Sequence, residues 1–350
     1  MKKVDTIIVG IGIAGVCFAE KLVQNKKSFY VIDNKKTGSS KIAAGIFNPI
    51  VLKRYNMTWN GEQFHKNAIT FFKNIENKYK KKIIFNHDIL KIFSSISDQN
   101  NWIVASKKPL LKAFLDSKIY TKKIKGIKTE FGYGVVNKCG RISTLNMING
   151  FKNKFKNNLL YEDFDFKKLS SQDNKIVYNN IVSENIVFCE GHDIINNPFF
   201  KNLPVTGSKG EFLIVKISNF SLNKIIKRSS IFIMPLENEH YWVGATYDNS
   251  DKKNKPTQKK KEWLIEKLES IITLPYKIID HKAGMRPTTI DRRPMIGFHP
   301  DYKNIYLLNG LGSRGILLAP TLSFWLYNYI YKGLPFPEEV DLNRFKEIKV

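Results

Sequence analysis

After a polar start, Met1-Lys2-Lys3, the chain runs apolar over residues 4–9, interrupted only by Asp5 and Thr6. A short apolar run closed by glycine predicts a buried strand. Apolar positions then recur at helical spacing over 14–24, and 28–33 form a second apolar run that ends in Asp33. Strand, helix and strand in about 30 residues make a βαβ unit. Residues 34–41 are a polar loop and 42–49 are rich in small residues. The spacing predicts a helix over 62–80, a strand over 83–93, irregular basic chain over 107–128 and a helix over 143–155 with Ser143 or Thr144 as its N-cap. Strands at 175–182 and 185–189 look paired. Period-two alternation at 211–217, 230–235 and 240–246 predicts an antiparallel sheet. A charged linker at 251–261, an amphipathic helix at 262–272, a strand at 305–309 and a closing helix at 315–331 complete the pattern, with no internal repeat.

An α/β start, an all-β middle and a strand–helix end imply two interleaved units. The expected fold is α/β: a Rossmann-type nucleotide-binding unit from residues 1–85, 141–204 and 281–350, with an α+β antiparallel-sheet unit from 86–140 and 205–280.

The turn after the first strand carries Gly10, Gly12 and Gly15. The first permits a tight turn, the second lets backbone approach a diphosphate, and the third lets helix pack on strand. Ile13 and Ala14 open the helix, whose positive N-terminus suits the diphosphate. Asp33, followed by Asn34, stands where a carboxylate accepts hydrogen bonds from ribose hydroxyls. A second glycine-rich segment, Asn-Gly-Leu-Gly-Ser-Arg-Gly-Ile-Leu-Leu-Ala-Pro, occupies 309–320. A chain that returns to its nucleotide site near its far end points to a long cofactor, FAD, rather than to a plain nicotinamide enzyme.

Composition adjusts this picture. Of 350 residues, 43% are hydrophobic and 13% aromatic, enough for large cores. The net charge of +26 raises a nucleic-acid reading, but only eight of the 57 basic residues are arginine. This Lys/Asn/Ile skew matches an AT-rich coding sequence, with lysines spread over solvated faces; the runs at 122–128 and 252–261 read as solvated loops. Three cysteines, Cys17, Cys139 and Cys189, build no disulfide framework, and the expectation is a cytoplasmic protein. The start of the chain has the look of a signal peptide, but Asp5 and the glycine spacing favour a strand. The most apolar helix, 315–331, contains Pro320 and Asn328 and reads as buried rather than transmembrane. No metal-ligand pattern and no GxSxG elbow is present.

Residues 284–297 read Gly-Met-Arg-Pro-Thr-Thr-Ile-Asp-Arg-Arg-Pro-Met-Ile-Gly. This segment resembles the D-amino-acid-oxidase-like (DAO) family of FAD enzymes, which includes glycine and sarcosine oxidases. The likeness extends to 42–49, 187–191, 209–212 and 243–247. It implies a glutathione-reductase-like FAD-binding unit, with Ala43, Ala44, Gly45 and Gly191 beside the cofactor. Gly310, Gly312, Ser313, Gly315 and Ile316 would wrap the pyrimidine end of the flavin. Arg286 stands where the family's Gly-x-Arg-Pro arginine pairs with a substrate carboxylate; the alternative is a structural pair with Asp291. Arg314 either touches substrate or closes its loop. Related oxidases place a tyrosine where this chain has Phe232; Tyr247 supplies the missing hydroxyl or is a half-buried strand tyrosine. With no cysteine near Arg286 or Gly310, FAD is expected to be non-covalent. The implied activity is oxidation of a C–N bond in a small amine or amino acid, with O2 or a quinone taking the electrons. The Gly-Ser-Arg-Gly segment is also similar to the FAD domain of the bifunctional tRNA enzyme that makes 5-methylaminomethyl-2-thiouridine. That likeness makes tRNA the alternative partner, and a non-catalytic FAD-binding protein is the third reading.

Overall fold

The structure, a computed structural model, describes residues 1–172 and 175–345. The N-terminal strand, Lys2–Val9, is almost wholly buried along its second half, as expected of a parallel strand covered on both faces. It pairs in parallel with Phe29–Ile32 on one side and Ile181–Phe188 on the other. Leu159–Leu160 extends the sheet beyond Phe29–Ile32. The strand Ile181–Phe188 forks: residues 181–183 pair antiparallel with Lys175–Tyr178, and residues 186–188 pair in parallel with Ile305–Asn309. Met295–Phe298 then pairs antiparallel with Ile305–Asn309. Far-separated parts of the chain thus complete one sheet of eight strands.

A second sheet of seven strands runs in the order Lys277–Arg286, Ser208–Lys216, His240–Gly244, Ile231–Pro235, Ile225–Arg228, Ile89–Ile92 and Tyr133–Val136. It is antiparallel except where Ile225–Arg228 meets Ile89–Ile92. The mixed α/β architecture therefore agrees with the sequence pattern. The expected boundary at 281 falls inside the strand Lys277–Arg286, which belongs wholly to the antiparallel sheet.

The helix Ile13–Gln24 and the closing helix Gly315–Lys332 share one core, in which Val16, Ala19 and Leu22 lie with Leu318, Leu322 and Leu326. No helix of the described residues is long and apolar enough to cross a membrane.

Several local expectations are corrected. The strand expected over 83–93 is two strands in different sheets, Ile84–Asn86 and Ile89–Ile92, because the polar pair His87-Asp88 breaks the run. The break expected near 183–184 lies at 179–180, where Asn179 takes φ +52, a left-handed turn that asparagine tolerates. A helix not anticipated, Ile96–Ser106, is capped by Ser95, whose side chain accepts from the Asp98 amide. The helix expected at 262–272 begins earlier, at Gln258, since its lysine-rich first turn is solvated helix rather than linker. Three lysines also depart from the solvated pattern. Lys209 is fully buried between Glu211 (3.0 Å) and Asp251 (2.7 Å). Lys91 is paired with Asp98 at 2.6 Å. Lys227 donates to the Ser229 carbonyl and lies over the Phe232 ring, and burial pulls its pKa down to about 7. All three cysteines are buried, and burial pushes their thiols up, which keeps them protonated and unreactive.

Gly15 sits where a Cβ would stand 2.0 Å from the Gly10 carbonyl oxygen. Gly15→Ala must therefore push the first helix off its strand. The expected loss is about 1–3 kcal/mol of unfolding free energy, read by urea denaturation; an unchanged midpoint would contradict this packing.

Candidate active site

One cavity of about 830 Å³ runs along the carboxyl end of the parallel strands and on to the antiparallel sheet. At one end, Gly10 turns the chain at φ +103, a conformation that favours glycine. Gly12 leads into the helix with extended backbone and no side chain to cap it, so the helix start is presented to the cavity by Ile13 and Ala14. Asp33 closes the second strand. Its Oδ1 accepts from the Ile11 amide at 3.0 Å and its Oδ2 from Lys35 at 3.2 Å, while Lys41 and Lys152 approach to 3.9 Å. Asn34 lies beside it and accepts from the Lys36 amide. Ser40, which sequence reasoning missed, accepts from the Ile13 amide at 3.1 Å and lies 3.3 Å from where a Gly12 Cβ would be. Glu190, half-buried beside Gly10, has its carboxyl pushed up to about 7 by desolvation, against the hydrogen bond from Asn197.

Along the middle, Ala43, Ala44 and Gly45 form one wall. Gly45 takes φ +71, and a Cβ there would stand 2.0 Å from the Ile142 oxygen. Gly191 lies opposite, its carbonyl accepting from Asn309 at 2.9 Å, and the Asn309 side chain also accepts from the Gly310 amide. The two glycine-rich segments meet, as a Cβ on Gly315 would lie 3.1 Å from Ile13. Gly312, Ser313, Gly315 and Ile316 line the cavity. Gly15 and Gly310 stand behind its wall; Gly310 packs against Thr289, Pro294 and Met295. A glycine turn, a helix start and a strand-end carboxylate on one long cavity fit a dinucleotide such as FAD.

At the far end, Arg286 terminates the strand Lys277–Arg286. Its Nη1 donates to the Lys209 carbonyl at 3.4 Å and its Nη2 to the Thr246 carbonyl at 3.2 Å. The guanidinium stacks on the Tyr247 ring at 4.2 Å. Beneath it lies Gly210, where a Cβ would stand 2.1 Å from Nη2, and Gly210 is paired across the sheet with Gly284. Gly210 falls inside a segment the sequence singles out, yet its role is visible only once Arg286 is in place. Burial pulls the Arg286 pKa below the ordinary arginine value, and Tyr247 partly offsets this.

The alternative pairing of Arg286 with Asp291 does not occur: Asp291 pairs with Arg344 at 2.9 Å. Arg293 lies over Trp59 at 4.6 Å. Tyr247 is not a half-buried strand residue. It lies beyond the strand His240–Gly244, is 65% exposed, and stands at the cavity rim. Phe232 lines the cavity as expected of its position. Two further polar groups escaped sequence reasoning: the buried Trp242 Nε1 and His192 Nδ1 both belong to cavity-lining residues and have no hydrogen-bond partner. Nothing in their local sequence distinguishes them from core residues.

Known proteins resemble this chain in part and in whole. Glycine oxidase of Bacillus licheniformis is 36% identical over 114 residues, 32% of this chain and 31% of that one. Glycine oxidase of Bacillus subtilis (strain 168) is 34% identical over 128 residues, 36% and 33% of the two chains. The tRNA 5-methylaminomethyl-2-thiouridine biosynthesis bifunctional protein MnmC of Leptospira borgpetersenii is 25% identical over 198 residues, 46% and 30%. The matches thus span about a third of the length of these curated relatives. Among solved structures, glycine oxidase from Geobacillus kaustophilus superposes with a TM-score of 0.79 at 14% identity, covering 99% of this chain and 98% of that one. L-proline dehydrogenase from P. horikoshii gives 0.76 at 16%, covering 99% and 98%. These likenesses show a shared fold. The model of the DAO family, the FAD dependent oxidoreductases, matches residues 5–327, and the chain belongs to that family.

Proposed function

We propose that this FAD enzyme oxidises the C–N bond of a glycine-like or N-substituted amino acid whose carboxylate is held by Arg286. The observation that carries this is a half-buried guanidinium, lining the cavity, that rests on backbone carbonyls and has no acidic partner among the described residues. Its remaining donors match a carboxylate, which would cancel its charge.

The Gly10–Gly15 turn and the helix start hold the diphosphate in this reading, Asp33 the ribose, and Ala43–Gly45 with Gly191 the middle of the cofactor. The 310–316 loop faces the pyrimidine end, without a covalent link. Bound FAD supplies a two-electron acceptor. Arg286 fixes the carboxylate and so orients the neighbouring Cα–H toward it, while Tyr247 covers the guanidinium from the solvent side. The substrate leaves as an imine that water hydrolyses to an amine and an oxo acid, so no dedicated protein base is needed. O2 or a quinone re-oxidises the cofactor.

The net charge of +26 favours a second reading, in which the N-substituted glycine is the side chain of a modified tRNA uridine. Anaerobic bleaching of the yellow holoenzyme separates the two. Glycine, sarcosine, proline or D-alanine bleaches the flavin if the substrate is a free amino acid, and only under-modified tRNA bleaches it in the second case. A flavin that none of these reduces would overturn both.

Two variants test the anchor. Arg286→Met is expected to lower kcat/KM about a hundredfold or more with FAD content unchanged. Gly210→Ala, which drives a methyl into the guanidinium, is expected to raise KM about tenfold or more in steady-state kinetics. A wild-type KM in Gly210→Ala would remove the glycine floor from the account.

A further inference from the structure

The cavity wall at the glycine turn carries a half-buried carboxyl with no counter-charge among the described residues. Glu190 follows Cys189, whose carbonyl oxygen lies 2.7 Å from where a Gly10 Cβ would stand, and it lines the cavity together with Gly10 and Gly12. Its Oε2 accepts from the Asn197 side chain at 2.7 Å. Asn197 is fully buried and fixed in turn, since its Oδ1 accepts from the Phe199 amide. The cations that line the cavity are engaged elsewhere. Lys36 pairs with Asp163, Lys41 approaches Asp33, and Lys252 donates to the Thr206 and Gly207 carbonyls. Arg286 and Arg314, the N-cap residue of the closing helix, both have Tyr247 in electrostatic reach, at the far end. The charge that acts on Glu190 is that of a second acid, Asp193.

On the reading that the Gly10–Gly15 turn holds the diphosphate, two more negative charges enter the cavity beside this carboxyl. An ionised carboxylate there repels them across a partly desolvated site. A carboxylic acid does not, and it has an O–H to donate. The protein already leans toward the acid. Desolvation outweighs the Asn197 hydrogen bond, Asp193 adds to it, and the carboxyl stands at about 7. The groups packed around it do not titrate with it. His192, on the same turn, is drawn below its ordinary pKa by burial, with Lys252 lowering it further against Asp193. Asn197 and Asn309, which donates to the Gly191 carbonyl, have no proton to lose, and Gly10, Ile11 and Gly12 have no ionisable side chain.

We infer that Glu190 belongs to the cofactor site and holds a proton in the loaded protein, so that FAD and that proton are bound together. This rests on the placing of the diphosphate at the glycine turn. The sign follows from linkage. Below about pH 7 the carboxyl is an acid with or without cofactor, and FAD is held at full strength. As the pH rises further, the empty site loses the proton first, the loaded site must keep it against the rising pH, and FAD is held less tightly. The diphosphate keeps both its charges through this range, so the dependence belongs to the protein.

Dilution of the holoenzyme, read by the fluorescence that FAD regains on release, tests this. The dissociation constant is expected to rise about tenfold or more between about pH 6 and about pH 9. Glu190→Gln keeps an acceptor for Asn197 and has no proton to lose, so its constant is expected to stay within about threefold of the wild-type value at low pH and to be flat. Glu190→Ala, with neither charge nor donor, is expected to be flat as well and weaker than Glu190→Gln. A wild-type constant that does not change with pH overturns the inference, and so does a pH dependence that either variant retains. Failure of the underlying reading looks different. Gly12→Asp sets a fixed charge in the turn, beside Ser40, and is expected to weaken FAD about tenfold or more at every pH. Wild-type retention of FAD in Gly12→Asp would displace the diphosphate from the turn, whereas a flat wild-type profile with FAD lost from Gly12→Asp overturns the role of Glu190 alone.

Discussion

A guanidinium taken out of water keeps its charge, because its pKa lies too far above neutrality for burial to remove it. Arg286 meets that constraint with two backbone carbonyls and an aromatic face, which orient the group without neutralising it. Much of the surrounding structure follows from keeping those carbonyls aimed. The Lys209 oxygen also accepts from the Asp248 amide, which ties the strand to the loop that carries Tyr247. The Lys209 side chain is clamped by Glu211 and Asp251, and Glu211 in turn accepts from the backbone and hydroxyl of Thr257. The Thr246 carbonyl accepts from Arg286 while its hydroxyl accepts from the Glu211 amide. A buried ionic lattice therefore steadies the carbonyls on which the Arg286 cation rests. Such a lattice adds little net stability but gives the site one geometry.

The nucleotide end was legible because its chemistry is local in sequence. Gly10, Gly12, Gly15 and Asp33 fall within one βαβ unit, and backbone geometry alone dictates their spacing. Arg286 was legible through a motif, but its surroundings were not. Gly210 faces it only because Ser208–Lys216 pairs with Lys277–Arg286, and that second strand is laced with Lys, His and Asp, so its alternation is weak. The alternative Asp291 partner failed for a similar reason: Arg344, more than fifty positions away, takes that carboxylate. Hidden lysines escaped a composition argument because composition treats all lysines alike. Lys209 and Lys91 are inside because specific acids accompany them.

The forked strand Ile181–Phe188 shows how the two ends of the chain are bound together. Its first half is completed by a local hairpin, Lys175–Tyr178, and its second half waits for Ile305–Asn309. The closing helix then brings Gly315 against Ile13, so the wall of the cofactor cavity is assembled from the first and last parts of the fold.

That contact has a meaning for synthesis of the protein. A ribosome releases Gly10, Gly12 and Asp33 early, as a strand–helix–strand that already looks like a nucleotide site, but nothing encloses it until the segment around Gly315 has emerged. The nascent chain must carry an exposed hydrophobic sheet edge at Ile186–Phe188 through the whole synthesis of the antiparallel unit. The cavity is therefore completed late: a chain that lacks the closing helix lacks the wall that Gly315 brings against Ile13.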